Sequence, residues 1–167
     1  MLLLLMAVGT ASAQKNLGKM SEQRRNRLLL KEAKEAMMYF APGYYNETPP
    51  PTIEWDIVDM EKVEKWGASL QGEQDLDREF YIVQYYYNSS LGYGDKRPAI
   101  LLRIWEDTGE VFDMEDGSWG YTLPSDWKEQ AKQQTRSGVP HEPRFKFQPP
   151  RRGPIPHPGF PDDQKAD

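Results

Sequence analysis

The chain has 167 residues, a net charge of −5, and 38% apolar and 12% aromatic residues. This length holds one ordinary domain, and the apolar content is sufficient for a hydrophobic core. Between Glu54 and Glu129 the chain has eighteen acidic and seven basic residues. Phosphate binding needs a clustered cationic face, so this acidic body argues against nucleic acid as a partner. The absence of cysteine excludes disulfides, thiol nucleophiles and thiolate metal sites.

The first thirteen residues have the pattern of a secretory signal peptide. An apolar run, Leu2–Val8, precedes the small residues Ala11-Ser12-Ala13, which predicts cleavage after Ala13 and a periplasmic or secreted protein. The pattern departs from the usual one because no Lys or Arg precedes the apolar run, and a buried helix is the alternative interpretation. The run is shorter than the roughly 20 residues of a transmembrane helix, so no membrane span is predicted.

Residues 14–20 are predicted to be a mobile leader, followed by an amphipathic helix. Ser21 is a suitable N-cap, and Pro42-Gly43 ends the helix because proline cannot continue it. One stripe of the helix is apolar, at spacings of three and four residues: Leu29, Ala33, Ala36, Met37 and Phe40.

The middle of the chain predicts a small antiparallel sheet. Strands are expected at Thr52–Met60 and Phe80–Tyr87, and Pro98–Gly120 is expected to form a hairpin that turns at Asp107-Thr108-Gly109. We expect the hairpin row of Ile100, Leu102 and Ile104 to build the core. For Phe80–Tyr87, one face should meet the helix while the other exposes a row of tyrosines. The charged segment 61–79 is interpreted as a long connection that contains a helical turn or a ragged strand.

The last part of the chain predicts a short helix and a tail. Ser125 is the expected N-cap and Gly138 the expected stop. The many prolines in 139–167 predict an extended, mostly disordered tail. The predicted fold class is therefore α+β: one N-terminal amphipathic helix packed on a small antiparallel sheet of about four strands, within a single domain spanning 21–138.

The sequence offers few residues for catalysis or metal binding. His141 and His157 both lie in the predicted tail, where neither is held as a general base. Asp75-x-Asp77-x-Glu79 begins like a calcium loop, but the loop's required glycine and glutamate are replaced by phenylalanine and tyrosine. The hairpin acids Asp113, Glu115 and Asp116 could serve a paired-carboxylate hydrolase, although such residues are more often solvated. No metal site, cofactor or catalytic residue is predicted.

Aromatic residues give the remaining functional hypothesis, since exposed rings supply rigid contact area for a peptide, protein or sugar. The alternative is that many of them fill the core of a small domain. The candidate binding residues lie on the sheet and its hairpin: Tyr85, Tyr87, Arg103, Trp105, Trp119 and Tyr121.

The order of these motifs resembles the PepSY-like domains of secreted bacterial proteins. The resemblance rests on the helix end Phe40–Gly43, the strand Phe80–Tyr87, the strand pair Ile100–Phe112 and the D-x-G-x-V turn at Asp107–Val111. It implies a helix on a small antiparallel sheet and a non-enzymatic module that binds or restrains peptidases or acts in the cell envelope. That family has no catalytic residues to carry over to this chain.

The preferred hypothesis is an exported binding or inhibitory module of the bacterial cell envelope that contacts a protein or peptide partner. One alternative is a small extracytoplasmic hydrolase or carbohydrate-acting protein that uses carboxylates near the hairpin. Another is a cystatin-like helix-on-sheet ligand binder, which would need a deep apolar pocket between helix and sheet. The sequence leaves the oligomeric state open.

Overall fold

The structure is a computed structural model that describes residues 16–67, 69–91, 98–117, 120–138 and 140–150. The predicted signal peptide (1–13), Trp119 and the end of the predicted tail (151–167) lie outside the described residues. Within the described ranges the chain is α+β, as its sequence predicts.

The helices and strands follow the predicted order along the chain. Short 3-10 turns at Leu17–Lys19, Pro42–Tyr44, Gly72–Asp75 and Ser89–Leu91 lie between or before them. The helices are α1 (Glu22–Phe40), α2 (Met60–Lys65) and α3 (Trp127–Ser137), and the strands are β1 (Thr52–Ile57), β2 (Glu79–Tyr86), β3 (Pro98–Trp105), β4 (Val111–Glu115) and β5 (Gly120–Thr122).

The described strands form one antiparallel sheet in the order β1-β2-β3-β4-β5, with one strand more than the sequence predicts. Each strand pairs with the next one along the chain, so the sheet is a simple meander. The additional strand is β5, which pairs with β4 through Asp113 and Thr122. Its three residues are too few for the alternation that identifies a strand in sequence.

Helix α1 packs its predicted apolar stripe on one face of the sheet, which we call the helix side. Leu29, Ala33 and Met37 are fully buried there. They meet the aliphatic row of β3, which confirms the core role predicted for Ile100, Leu102 and Ile104. Burying each of these large aliphatic side chains stabilises the fold by about 1.5–3 kcal/mol. The hairpin turn is also as predicted, with Gly109 at φ +70°.

The opposite face of the sheet is covered by the connection between β1 and β2. This connection contains α2 as its helical turn, and it packs Val58 and Leu70 against Phe80 of β2. Trp105 and Phe112 complete this second cluster with rings stacked at a centroid distance of 3.8 Å. The central strands are therefore covered on both faces, which explains why β2 is apolar in both of its rows.

The predicted orientation of the β2 tyrosines is wrong. Tyr81 and Tyr85 point to the helix side, where they are 6% and 2% exposed, rather than away from the helix. Phe80 and Ile82 occupy the other face, beneath the β1–β2 connection. The strand alternates as predicted, but both of its rows are apolar enough to be buried, so the sequence does not show which row meets α1.

Both ends of the described chain are more firmly attached than predicted. In the leader, Leu17 is buried, and its N–H donates to the carbonyl of Glu106 at 2.8 Å. In the predicted tail, residues 140–150 lie along the domain; Phe145 joins the helix-side core and donates its N–H to the carbonyl of Phe40 at 2.8 Å. Prolines prevent regular structure here but do not prevent docking of an extended segment.

Helix α3 starts slightly later than predicted. Asp126, not Ser125, is its N-cap residue, and the helix ends at Gly138 with φ +68° as expected. Among the helices of the described residues, none combines the length and the apolar character needed to cross a membrane.

Candidate functional site

The residues predicted to form an aromatic contact surface do not lie together on the surface. Tyr85, Arg103 and Trp105 are at most 6% exposed, because the central strands that carry them are covered on both faces. Tyr87 and Tyr121 are partly buried against the helix-side core, and Trp119 lies outside the described residues. Burial raises the pKa of the Tyr85 phenol well above its usual value of 10.0. These aromatic rings therefore mainly fill the core.

Arg103 instead belongs to a buried ionic cluster on the face opposite α1. Its guanidinium forms an ion pair with Asp113 and contacts Glu115 at 2.7 Å. Asp113 also accepts a hydrogen bond from the Ser69 hydroxyl at 2.7 Å, and the ring of Trp66 lies 4.1 Å from the Arg103 guanidinium carbon. Burial raises the pKa of Asp113 despite the attraction of Arg103. Two of the three predicted hairpin carboxylates, Asp113 and Glu115, are thus held in a structural network.

A concavity lies at the outer edge of β4, beyond the point where β5 ends, and we call it the β4 groove. It measures about 450 Å³. One wall comes from α1 and the start of α3, the other from the β1–β2 connection, and the floor from the β3–β4 hairpin. The first wall includes Glu32, Ser125, Trp127 and Lys128, and the second includes Ser69, Gln71, Asp75 and Arg78. Around the floor lie Trp105, Glu110, Phe112 and Thr122.

One wall of the β4 groove contains an ion pair between α3 and α1. Lys128 pairs with Glu32, which is only 3% exposed, and lies 3.7 Å from Glu35. A buried carboxylate of this kind needs a cation beside it, because leaving it unpaired would cost several kcal/mol. The pair therefore fixes the first turn of α3 against α1 and sets the position of this wall.

The opposite wall is built around Arg78. Its guanidinium contacts Asp75 at 3.0 Å and Asp107 at 3.0 Å, and it stacks over the ring of Trp105 at 3.8 Å. Asp75 is 5% exposed and also accepts the backbone N–H of Gln71 at 2.7 Å. These contacts connect the β1–β2 connection to the hairpin, so the second wall is rigidly held.

The charges on both walls of the β4 groove are therefore paired within the protein, while the floor carries the exposed carboxylate of Glu110. Ser125 and Gln71 present a hydroxyl and an amide group to solvent, and the Thr122 hydroxyl is bonded to that of Ser69 at 2.8 Å. The aromatic rings of the lining, Trp105 and Trp127, are buried and present little of their faces. This arrangement can exchange hydrogen bonds with a ligand, but the cations of its walls are already paired and its buried rings offer little surface to a sugar.

A pair of carboxyl groups, those of Glu106 and Glu79, lies beside the turn of the β3–β4 hairpin. Glu106 shares a side-chain hydrogen bond with Glu79, and its pKa is raised by burial and then by the nearby charges of Glu79 and Asp107, while Arg25 acts in the opposite direction. The N-terminal turn at Gly18 packs closely over the Glu106 carboxyl group. The pair is thus covered by the leader segment.

The described residues do not bring together a metal site or a nucleophile–histidine pair. No group of three or more potential metal ligands occurs among them. His141 stacks on the ring of Tyr39 at 3.8 Å, away from the β4 groove. His157 lies outside the described residues.

Sequence reasoning missed the β4 groove because its lining comes from five separate parts of the chain. Lys128 and Glu32 are far apart in sequence, and neither has a motif around it. A signal lies in the abundance of charge in 61–79, a segment whose sequence predicts only a long connection with a helical turn or a ragged strand. Charges in such a connection can equally pair with a distant helix or hairpin.

Comparison of the chain with protein-family models, with characterised proteins and with solved structures gives no match.

Proposed function

We propose that the protein is a non-enzymatic binding module that works outside the cytoplasm, in the cell envelope, and recognises a polypeptide segment in the β4 groove. The observation that carries this proposal is the lining of the groove: neutral hydrogen-bonding groups between walls whose charges are already paired. The volume of about 450 Å³ lies within the range of ligand sites.

The neutral polar lining favours a polypeptide over other ligands. Backbone amides alternate donors and acceptors, and the exposed side chains of Gln71 and Ser125 can supply both. An anionic ligand would compete with Asp75 for Arg78, or with Glu32 for Lys128, and would leave a buried carboxylate unpaired. A sugar would find little exposed ring surface, since Trp127 is 5% exposed.

A binding role is also favoured over the hydrolase alternative. The carboxylates that line the β4 groove deeply, Glu32 and Asp75, are each held by a cation, and a general acid or base must be free to exchange a proton with a substrate. The hairpin acid Asp113 is held by Arg103 and Ser69. The cystatin-like alternative requires space between helix and sheet, where Leu29, Ala33 and Met37 are instead fully buried.

The proposed location outside the cytoplasm is supported by the sequence of residues 1–13, and the envelope role by the resemblance to PepSY-like domains. Under this proposal the partner is a protein or peptide of the envelope.

The proposal is tested by selecting short random peptides displayed on phage for binding to the mature protein. A Ser125→Trp variant fills the β4 groove without breaking a described ion pair, and should weaken binding of the selected peptides by about tenfold or more. Ser89→Trp is the matched control, since Ser89 is exposed and lies elsewhere. Failure to select peptides, or equal affinity for both variants, would contradict the proposal.

A further inference from the structure

The outer edge of β1 is a second surface suited to partner binding, and it lies at the opposite end of the sheet from the β4 groove. Strand β1 pairs only with β2 among the described strands. We call its free side the β1 edge, formed by residues 52–57. An open edge carries backbone groups that can pair with another strand.

The hydrogen-bonding pattern identifies which backbone groups of β1 point outward. Val58 donates its N–H to the carbonyl of Arg78, and its own carbonyl accepts from Asp77, so the backbone groups of Val58 point toward β2. Because these groups alternate in direction along a strand, those of residues 57, 55 and 53 point outward. The N–H of Ile57 fits this assignment, since it bonds the Asp56 carboxylate at 2.8 Å rather than β2.

The two side-chain rows of β1 differ in chemistry. On the helix side, Ile53 and Trp55 lie beside Val83 and Tyr81 of β2, and Trp55 is 54% exposed. On the opposite face lies the exposed carboxylate of Glu54, beside Ile82. The β1 edge therefore combines an apolar row that includes an exposed tryptophan with an acidic row.

The acidic row is only partly neutralised by the protein itself. Lys62 of α2 lies 3.3 Å from Asp56 and 2.7 Å from Asp59, while Glu54 has no cation in contact among the described residues. A strand placed against this edge would bring its own side chains directly opposite Glu54. A basic side chain there would form a favourable cross-strand pair, and an acidic one would be repelled.

We propose that the β1 edge binds an extended polypeptide segment as a sixth strand, and that the segment alternates apolar residues with Lys or Arg. The apolar residues pack beside Ile53 and Trp55, and the basic residues lie beside Glu54 and Asp56. The backbone groups of residues 53 and 55 supply the hydrogen bonds, which is the strand-addition mode of peptide recognition.

A second copy of the same chain is a poorer occupant of the β1 edge. Two β1 strands paired with each other would place Glu54 and Asp56 across from the same acids of the other copy. Like charges directly opposite each other destabilise a strand pair. Charge complementarity therefore selects a basic partner over self-association.

The test uses an acetylated Val-Lys-Val-Lys-Val-Lys-Val peptide and the full mature chain, followed by amide chemical shifts in NMR. Shifts should change along 52–57, and Glu54→Lys should weaken binding by about tenfold or more. The same variant should gain affinity for the corresponding Val-Glu peptide. Glu73→Lys is the matched control, since Glu73 is exposed outside β1 and changes the net charge equally.

Four outcomes would overturn the proposal. These are no binding of the Val-Lys peptide, unchanged affinity in Glu54→Lys, equal binding of a Val-Val-Val-Val-Lys-Lys-Lys peptide, or peptide-free shifts along 52–57 that grow with protein concentration. The third would show attraction of charge without strand pairing, and the last would show that a second copy occupies the edge. Weaker binding of the phage-selected peptides to Ser125→Trp tests only the β4 groove. The groove proposal and the β1-edge proposal can therefore fail independently of each other.

Discussion

Among the described residues, the buried charged side chains have structural partners. Arg78 and Lys128 each connect parts of the chain that are distant in sequence, whereas Arg103 joins the neighbouring strands β3 and β4. Buried pairs of this type add little net stability compared with apolar residues, but removing one partner leaves an expensive unpaired charge. The pairs made by Arg78 and Lys128 fix the positions of the groove walls more than they stabilise the fold.

Glu106 is an acid whose ionisation works against the fold. Its folded-state pKa is raised above the ordinary value of 4.5 by burial and by Glu79. An acid with a raised folded pKa favours the folded state most below its unfolded pKa, and this contribution is lost as the pH rises through the folded pKa. Ionised Glu106 therefore destabilises the protein at neutral pH.

We expect Glu106→Gln to raise the melting temperature at neutral pH, because the amide removes the repulsion from Glu79 while keeping a hydrogen-bonding group. Below pH 4.5, where the wild-type carboxyl group is itself largely protonated, the difference should shrink. Thermal unfolding followed by circular dichroism across this pH range measures the effect.

The control for this prediction is Glu110→Gln in the same hairpin, where the side chain is exposed and substitution should change stability little. A neutral-pH melting temperature that falls in Glu106→Gln, or a gain of equal size at every pH, would contradict the assignment of a raised pKa.

At the scale of elements, the segment 140–150 is a structural part of the domain although it has no regular secondary structure. It runs past the end of α1, where a side chain at Gly43 would come within 2.8 Å of the Phe147 Cβ atom. The hydroxyl of Tyr44 accepts the N–H of Gln148 at 3.1 Å. Phe145, 6% exposed, is its main apolar anchor.

Phe145→Ala is expected to destabilise the protein by about 3–5 kcal/mol, because the substitution leaves a cavity in the helix-side core. Chemical denaturation measures the free energy of unfolding. Phe147→Ala is the matched control: its ring is 40% exposed, so a much smaller loss is expected. Similar losses for both variants would show that Phe145 is not the anchor.

For the molecule as a whole, the proposed function requires export. The sequence predicts cleavage after Ala13, and the first buried side chain among the described residues is that of Leu17. A new N-terminus at Gln14 would therefore leave the buried part of the leader intact.

Expression of the full chain in a bacterial host with a functional secretion pathway should yield mature protein outside the cytoplasm that begins at Gln14. Mass spectrometry of the intact protein and its N-terminal peptide measures this. Replacing both Ala11 and Ala13 by Gln should block cleavage. Protein that stays in the cytoplasm with Met1 or Leu2 as its first residue would contradict export.

Much of the fold could be predicted from the sequence, because it follows from the local spacing of apolar residues. The stripe from Leu29 to Phe40 and the row of Ile100, Leu102 and Ile104 each have one apolar face, and both are buried as predicted. Turn positions were equally clear, since Gly109 and Gly138 supply the positive φ angles that their sites need.

Three features could not be predicted from local periodicity. These are the face on which the β2 tyrosines lie, the fifth strand, and the docking of Phe145. In β2 both rows are apolar, so periodicity alone cannot assign them. The attachment of Phe145 depends on its contacts with the end of α1 and with the helix-side core, and these contacts exist only in the folded chain.

The Pro98–Trp105 strand shows how the division between sequence and tertiary structure arises. Alternation is a local property of the chain, so the sequence alone identifies Ile100, Leu102 and Ile104 as core residues. The burial of Arg103 and Trp105 depends on the folded chain, because the β1–β2 connection packs over that face. The two proposed binding surfaces, the β4 groove and the β1 edge, also depend on the tertiary structure, because a groove wall or a free sheet edge exists only when particular segments lie beside each other.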